Sequence, residues 1–140
     1  MKKDLIIFLI GRIQYKANRF LLRELRSHGI NGLAPSHGEI LGYLMARGPL
    51  PMSEIGKTID KDKSTITALV NKLIRLGYVV KKNDSHDSRV SLISLTRKGM
   101  SLKQSFLIIA RKLRAQSYRD ISDDERETLV TLLDKINANL

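Results

Sequence analysis

Helical periodicity is the first pattern in this chain, and it begins close to the N-terminus. From Leu5 to about Ser27 there is no proline, and apolar residues recur every three or four positions. The apolar stripe is widest at its start, where Leu5–Ile10 form a continuous run after two lysines. Because a helix that buries two faces needs two partners, we expect one of them to be another copy of the chain.

Two further helices are predicted before the middle of the sequence. Pro35 suits a first helical turn, and Ser36 with Glu39 three residues later has the spacing of a capping box. This pattern predicts a helix that ends at about Arg47. A shorter helix follows, from roughly Ser53 to Ile59, and ends in a tight turn.

The next helix has an unusual polar face. Asp62 is placed to accept hydrogen bonds from the free amides of its first turn. Its apolar residues follow at i, i+3, i+4 and i+7: Ile66, Leu69, Val70 and Leu73. The opposite face holds small, polar or basic residues: Ser64, Thr67, Ala68, Asn71 and Arg75. No acid follows Asp62 here, although a merely solvated helix usually pairs Glu with Lys.

The pattern then changes to a β-hairpin and returns to helix. Two short β-prone runs, Tyr78–Lys82 and Val90–Leu95, flank a polar stretch rich in turn formers. Thr96 is placed to cap one long helix that runs to about Tyr118. Ser122 begins a capping box for the last helix. The sequence therefore predicts a mainly α protein with a small β-hairpin wing.

Charge changes the interpretation of this order of elements. The 140 residues carry 25 Lys and Arg against 14 Asp and Glu, a net charge of +11. Residues 57–98 contain ten basic and four acidic side chains, whereas residues 122–140 contain five acids and two basic residues. A basic stretch is often only a solvated surface, but this one favours a polyanionic partner for the middle of the chain.

Several classes of protein are disfavoured. The chain has no cysteine, which removes thiolate metal sites and fits a cytoplasmic location. The three histidines, His28, His37 and His86, lack metal-site spacing, and His37 is expected at the surface or lining a pocket. The Gly56-Lys57-Thr58 sequence fails as a phosphate-binding loop because Pro51 replaces its first glycine. We expect no enzyme activity, no metal and no cofactor.

The order of these elements predicts a helix-turn-helix followed by a wing: a short helix, a turn, a polar-faced helix and then a hairpin. An α-helix fits the major groove of B-DNA, and its N-terminal residues then reach base edges. The residues expected on that helix to contact DNA are Lys63, Ser64, Thr65, Thr67, Ala68, Asn71 and Lys72. Ser53, Lys57 and Lys61 are expected to contact the DNA backbone.

These residues and their spacing resemble the MarR family of regulators. The similarity lies in Asp62-Lys63-Ser64-Thr65-Ile66-Thr67, in residues 73–79, in Asp87-Ser88-Arg89 and in Leu95-Thr96-Arg97-Lys98-Gly99. It extends over nearly the whole chain. Ala34 and Pro51 depart from the pattern, because many members carry a Ser or Thr helix cap there.

The resemblance implies how such a protein works. It implies a homodimer built from residues 1–32 and 100–140, with residues 33–99 as the DNA-binding region. It also implies a wing that inserts Arg89 into a minor groove, with Asp87 orienting the arginine and Ser88 between them. Negative potential in a narrow A·T-rich groove makes this physically reasonable. From the resemblance we expect a sequence-specific regulator that binds a pseudo-palindromic operator. We expect it to be a repressor that a small aromatic effector releases from DNA.

Two alternatives stay open. A basic architectural protein could coat nucleic acid without reading its sequence, and it would share the same charge. A protein-interaction adaptor could use the winged helix only as a scaffold. Such an adaptor would show no salt-dependent DNA binding at all. Preference for one operator over random duplex by roughly 10³ or more at physiological salt would separate a regulator from the architectural protein.

Overall fold

The computed structural model describes residues 5–140, and within that range it contains seven helices and three short strands. In chain order these are α1 Ile6–Ser27, α2 Pro35–Arg47, β1 Leu50–Pro51, α3 Met52–Ile59, α4 Lys63–Arg75, β2 Val79–Asn83, β3 Ser91–Leu95, α5 Arg97–Met100, α6 Lys103–Ser117 and α7 Asp123–Asn139. The prediction of a mainly α chain with a small hairpin is confirmed. Residues 1–4 of the expected dimerisation region lie outside the described residues.

The core lies where α2 and α4 pack together against the sheet. Ile40 and Leu41 of α2, Val70 and Leu73 of α4, and Ile93 of β3 are all completely buried. The sheet is antiparallel with strand order β1-β3-β2, so β3 pairs with both neighbours. The strand β1 was not predicted, because two residues that end in a proline give no alternating pattern.

Side-chain caps stabilise the N-termini of α4 and α7. Asp62 caps α4 as predicted, with its Oδ1 accepting a hydrogen bond from the Thr65 amide at 2.8 Å. The predicted capping box of α7 is also confirmed. There Ser122 Oγ accepts from the Glu125 amide at 3.1 Å, and Glu125 Oε1 accepts from the Ser122 amide at 3.0 Å.

The predicted capping box of α2 is wrong. Ala34, not Ser36, is the N-cap residue, and its amide donates to Nδ1 of His37 at 2.9 Å. His37 takes the role expected of Glu39, because its ring nitrogen is an acceptor three residues after the cap. The expectation of a surface position for His37 is also wrong, since the residue is only 5% exposed.

The single long helix predicted from Thr96 to Tyr118 is wrong as well. Thr96 does cap a helix, but α5 ends after four residues and α6 begins at Lys103. In the turn between them the Leu102 amide donates to Gly99 O at 3.2 Å, a three-residue spacing tighter than an α-helical turn. Ser101 Oγ also donates to the Lys98 carbonyl at 2.6 Å.

The two ends of the described chain leave large apolar side chains uncovered. In α1 these include Ile7, Phe8 and Ile13, which are 54%, 68% and 57% exposed. No side chain of α7 is buried, and its apolar stripe is exposed at Leu129 and Leu132. Among residues 5–140, no helix combines the length and the apolar character needed to cross a membrane.

Candidate DNA-binding surface

The turn between α3 and α4 is built from short-range constraints. Ile55 and Ile59 anchor α3 in the core. Asp60 then adopts a left-handed conformation with φ of 53°, and the Lys61 amide donates to Gly56 O at 3.1 Å. Asp62 starts α4 directly afterwards. Its pKa is lowered, mainly because the carboxylate accepts a hydrogen bond from the Thr65 amide, and then through the Thr65 and Ser64 side chains.

Helix α4 presents a small and polar face to solvent. Its buried side is Ile66, Val70 and Leu73. The predicted contact residues on the opposite side divide into two groups. Exposed residues are Lys63, Ser64, Thr65, Ala68 and Asn71, whereas Thr67 and Lys72 are half-buried. The outward position of the hydroxyl-bearing face, on which the DNA-binding prediction depends, is therefore observed.

Local hydrogen bonds fix two of the polar side chains on α4. Ser64 Oγ donates to Asp62 Oδ1 at 2.9 Å, and Thr67 Oγ1 donates to the Lys63 carbonyl at 2.8 Å. Both hydroxyl oxygens keep acceptor capacity toward solvent. Lys72 lies close enough to His37 that its charge helps to lower the histidine pKa, after the larger effect of burial. Lys72 itself is half-buried.

The loop between β2 and β3 carries an ordered Asp–Arg pair. Asp87 Oδ1 accepts from the Arg89 amide at 3.0 Å and from Arg89 Nε at 3.2 Å. These bonds lower the Asp87 pKa, with the Arg89 side chain as the largest cause. The Arg89 side chain is 89% exposed and that of Asp87 is 41% exposed. The acid therefore orients an arginine that projects into solvent.

One open cleft of about 730 Å³ separates α4 from the wing. The structure brings six predicted residues together around it: Ser53, Lys57, Lys61, Lys63, Thr67 and Arg89. The remaining predicted residues lie outside its lining, on the outward face of α4 or at the wing tip: Ser64, Thr65, Ala68, Asn71, Lys72, Asp87 and Ser88. Five cationic side chains and one acid, Asp60, line the cleft. Its surface is thus strongly favourable for an anion.

Two exposed basic residues join this surface without having been predicted as site residues. Lys81 of β2 lines the cleft, and Arg75 is exposed at the C-terminal end of α4. The position of Lys81 follows from pairing, because it lies opposite Ile93 in the register of β2 and β3. That register depends on the loop between the strands, which the sequence alone does not specify. Helical periodicity did place Arg75 on the outward face.

A second cleft, of about 670 Å³, lies between α1, α2 and α6. Leu21, Leu25, Ile109 and Phe106 supply much of its apolar wall. Polar atoms come from residues at its edges: Gln14, Asn18, Ser36, Glu39 and Lys61. Among the described residues, no three His, Asp or Glu side chains cluster as a metal site would require.

Comparison with known proteins agrees with these features. The model of the MarR family matches residues 31–90. The transcriptional regulator YkoM of Bacillus subtilis, described as helix-turn-helix-type, is 30% identical over 114 residues, which cover 81% of this chain and 72% of YkoM. The chain belongs to the MarR family. It is therefore a non-enzymatic DNA-binding transcriptional regulator.

Solved structures of MarR family regulators share this fold. MepR of S. aureus, solved in a complex with DNA, has a TM-score of 0.85 at 24% identity, covering 95% of this chain and 96% of MepR. A MarR mutant from E. coli complexed with operator DNA has a TM-score of 0.80 at 22% identity, covering 91% of this chain and 90% of the MarR mutant. The winged helix-turn-helix architecture predicted from the sequence is confirmed.

Proposed function

We propose that this MarR family member is a homodimeric repressor that reads a pseudo-palindromic operator. Each subunit places α4 in a major groove and Arg89 in the adjacent minor groove. The supporting observation is the cationic cleft, because its lining brings Lys63 and Thr67 of α4 together with the exposed Arg89 of the wing. A duplex whose backbone lies along this cleft would meet both elements at once.

The predicted site residues divide by chemistry into three roles. Ser64, Thr65, Thr67, Ala68 and Asn71 read bases, because short hydroxyls and a methyl group allow close approach and an Asn amide matches adenine. Basic and hydroxyl side chains contact phosphates: Ser53, Lys57, Lys61 and Lys63, which line the cleft, and Lys72, which lies outside its lining. Arg89 enters the minor groove, with Asp87 holding its guanidinium and Ser88 completing the turn.

The exposed apolar ends of the chain support the homodimer. Side chains of α1 and α7 that stay in water as a monomer would be buried against a second copy. We assign residues 1–32 and 100–140 to this interface. Replacing both Leu129 and Leu133 with Glu should dissociate the dimer and abolish operator binding together, as measured by analytical ultracentrifugation and by anisotropy. As a control, two Glu substitutions at Thr131 and Ala138 add the same charge on the opposite face of α7.

The second cleft is the proposed effector site. It is largely apolar with a few polar groups, which is typical of sites for small organic molecules, and we expect a small aromatic ligand. Lys61 lines both this cleft and the cationic cleft. A ligand that draws the Lys61 ammonium toward the second cleft removes a phosphate contact, so binding of effector and of DNA would oppose each other.

The effector proposal is tested with phenols and aromatic carboxylates titrated into the chain bound to DNA. We expect the ligand to release the duplex from the unmodified chain. We expect no release from Ala110→Trp, because Ala110 lines the second cleft and an indole would fill it. Ala46→Trp, at an exposed alanine of α2 outside that lining and outside the assigned dimer interface, is the control. Release that persists in Ala110→Trp would place the ligand elsewhere.

The function as a whole is tested by capturing sheared genomic DNA on the full chain and sequencing the retained fragments. A two-fold symmetric motif is expected, with half-site centres about 10 base pairs apart. A dimer covering such a site blocks polymerase from the same DNA, so repression is expected when the motif overlaps a promoter. Retained fragments without a common motif would instead favour the architectural protein.

A further inference from the structure

The C-terminal end of α4 is closed by a complete Schellman motif. The Tyr78 amide donates to Leu73 O at 3.0 Å, and the Gly77 amide donates to Ile74 O at 3.0 Å. Gly77 has a φ of 82°, which only glycine adopts without strain. This motif satisfies carbonyls inside the last turn. The carbonyls of the next three residues, 76 to 78, lie beyond the last residue of α4.

All three of these carbonyls are bound by one short segment that follows the wing. Lys98 Nζ donates to Leu76 O at 2.8 Å, and Thr96 Oγ1 donates to Gly77 O at 2.6 Å. The Thr96 amide donates to Tyr78 O at 3.0 Å. We name this arrangement the carbonyl clasp: residues 96–99 bound to the carbonyls of residues 76–78. It joins the end of α4 to the start of α5, across the whole wing.

Gly99 lets the two segments of the carbonyl clasp come this close. A Cβ atom at Gly99 would overlap the carbonyl oxygen of Tyr78 and would meet a Leu95 methyl group at 3.0 Å. The Gly99 amide also donates to Thr96 Oγ1 at 3.0 Å. Thr96 Oγ1 is therefore an acceptor from α5 and a donor to the segment after α4, and its position is fixed from both sides.

Lys98 adds charge to the carbonyl clasp. Its ammonium lies 4.8 Å from the centre of the Tyr78 ring, a cation–π distance, while it binds the Leu76 carbonyl. A cation at the C-terminus of a helix is also favoured by the helix dipole. These partners hold Lys98 against the protein. It is exposed, yet its ammonium is directed at the end of α4.

We infer that Lys98 is a positioning residue for DNA recognition, which acts by fixing α4 and the wing as one unit rather than by touching DNA. The wing leaves α4 at Gly77 and returns at Thr96, so the carbonyl clasp sets the angle at its base. That angle determines whether Arg89 reaches the minor groove when α4 occupies the major groove. The inference rests on the proposed function, because its readout is affinity for the operator.

The test compares full-length variants by fluorescence anisotropy on the duplex recovered from genomic capture, over a series of salt concentrations. Lys98→Met keeps the aliphatic stem and loses the donor and the charge. Its affinity should fall about tenfold. The slope of log affinity against log salt should fall by no more than it does in Arg89→Ala, and adding Lys98→Met to Arg89→Ala should leave the slope unchanged, because Lys98 itself makes no phosphate contact. Lys98→Arg should restore affinity, because a guanidinium also donates to a carbonyl and stacks on tyrosine.

Two controls separate positioning from other effects. Arg97→Met removes the neighbouring exposed cation, whose side chain has no hydrogen-bond partner among the described residues, and should leave affinity within about twofold. In a double-mutant cycle, Lys98→Met combined with Arg89→Ala should cost less than the sum of the single changes. Amide exchange in residues 76–83 should be faster in Lys98→Met and unchanged in α2. Should Lys98→Met melt near the assay temperature, Lys98→Gln replaces it.

The outcomes distinguish this inference from the proposed function. A further fall of about 0.9 per subunit in the slope, when Lys98→Met is added to Arg89→Ala, would show a phosphate contact by Lys98 itself and overturn the positioning role. Unchanged affinity, failure of Lys98→Arg to restore it, or strict additivity with Arg89→Ala would overturn it as well. If the unmodified chain shows no preference for the recovered duplex, both proposals fall. If the unmodified chain does show that preference and Lys98→Met binds the duplex with the same affinity, only the positioning role of Lys98 is refuted.

Discussion

Replacing Arg89 with Ala isolates what the wing contributes to binding. Among residues 5–140, the Arg89 side chain donates hydrogen bonds only to Asp87, within the same loop. With 89% of that side chain exposed, the substitution removes almost no packing. Exposed ion pairs of this kind contribute little to stability, so Tm should change by no more than about 2 °C. A change in DNA affinity would then report on the bound state alone.

The magnitude follows from the geometry of a dimer with two wings. If each guanidinium contact is worth on the order of 1 kcal/mol, losing both weakens binding about 30-fold. Two lost cationic contacts also reduce the steepness of the salt dependence by about 1.8 in log–log slope. Uncovering Asp87 adds to the loss, because its carboxylate is left beside the DNA without its partner.

The assay is anisotropy of a labelled operator duplex between 50 and 300 mM salt, with circular dichroism to verify folding. Arg47→Ala is the matched control, because it removes the same charge from an exposed position on α2, outside the lining of the cationic cleft and outside the assigned dimer interface. Unchanged affinity and slope in Arg89→Ala would refute the minor-groove role. Equal losses in Arg89→Ala and Arg47→Ala would show that total charge, and not the wing, determines affinity.

Three other predictions test the recognition helix and the packing that supports it. Asn71→Ala should relax preference at one operator position with little change in salt slope, as measured by competition among single-base variants; a uniform loss across all variants would contradict base reading. Gly99→Ala should lower the free energy of unfolding by about 1 to 3 kcal/mol, because the added Cβ overlaps the Tyr78 carbonyl oxygen. Gly42→Ala is the control and should be neutral or slightly stabilising, because an added Cβ there meets nothing within 4 Å. Equal Tm values for the two variants would exclude the close contact at Gly99. Burial, followed by the Lys72 charge, lowers the pKa of His37, so the folded chain binds fewer protons there than the unfolded chain, and Tm should fall as pH drops from 7.5 through about 6.5 to 5.5. His37→Asn keeps an acceptor for the Ala34 amide and should remove this pH dependence, and a persisting dependence would assign it to another group.

Local rules predicted much of this fold. Asp62 and Ser122 are caps whose side chains act within three residues, so the sequence around them was sufficient. The cap of α2 was missed because a histidine ring replaces the usual acid, and its role depends on burial by the rest of the chain. The break after α5 was missed for a similar reason. It coincides with the close approach of Gly99 to Tyr78, twenty-one residues earlier in the chain.

The candidate site was predictable to the extent that it lies on one helix. Periodicity separated the two faces of α4, and the structure shows the polar face exposed. The Asp–Arg pair of the wing was found through its resemblance to MarR regulators and its position after α4. The contribution of Lys81 and the carbonyl clasp depend on strand register and on contacts between distant segments. These features become visible only when the hairpin is folded against α4.

Competition at equilibrium tests the central claim most directly. The operator duplex from genomic capture competes with a shuffled duplex of equal length and composition for the full chain, near 150 mM salt. Reading of sequence by two copies of α4 predicts a preference of roughly 10³ or more, with two chains bound per duplex. Equal affinity for both duplexes, or tight binding by one chain alone, would contradict it.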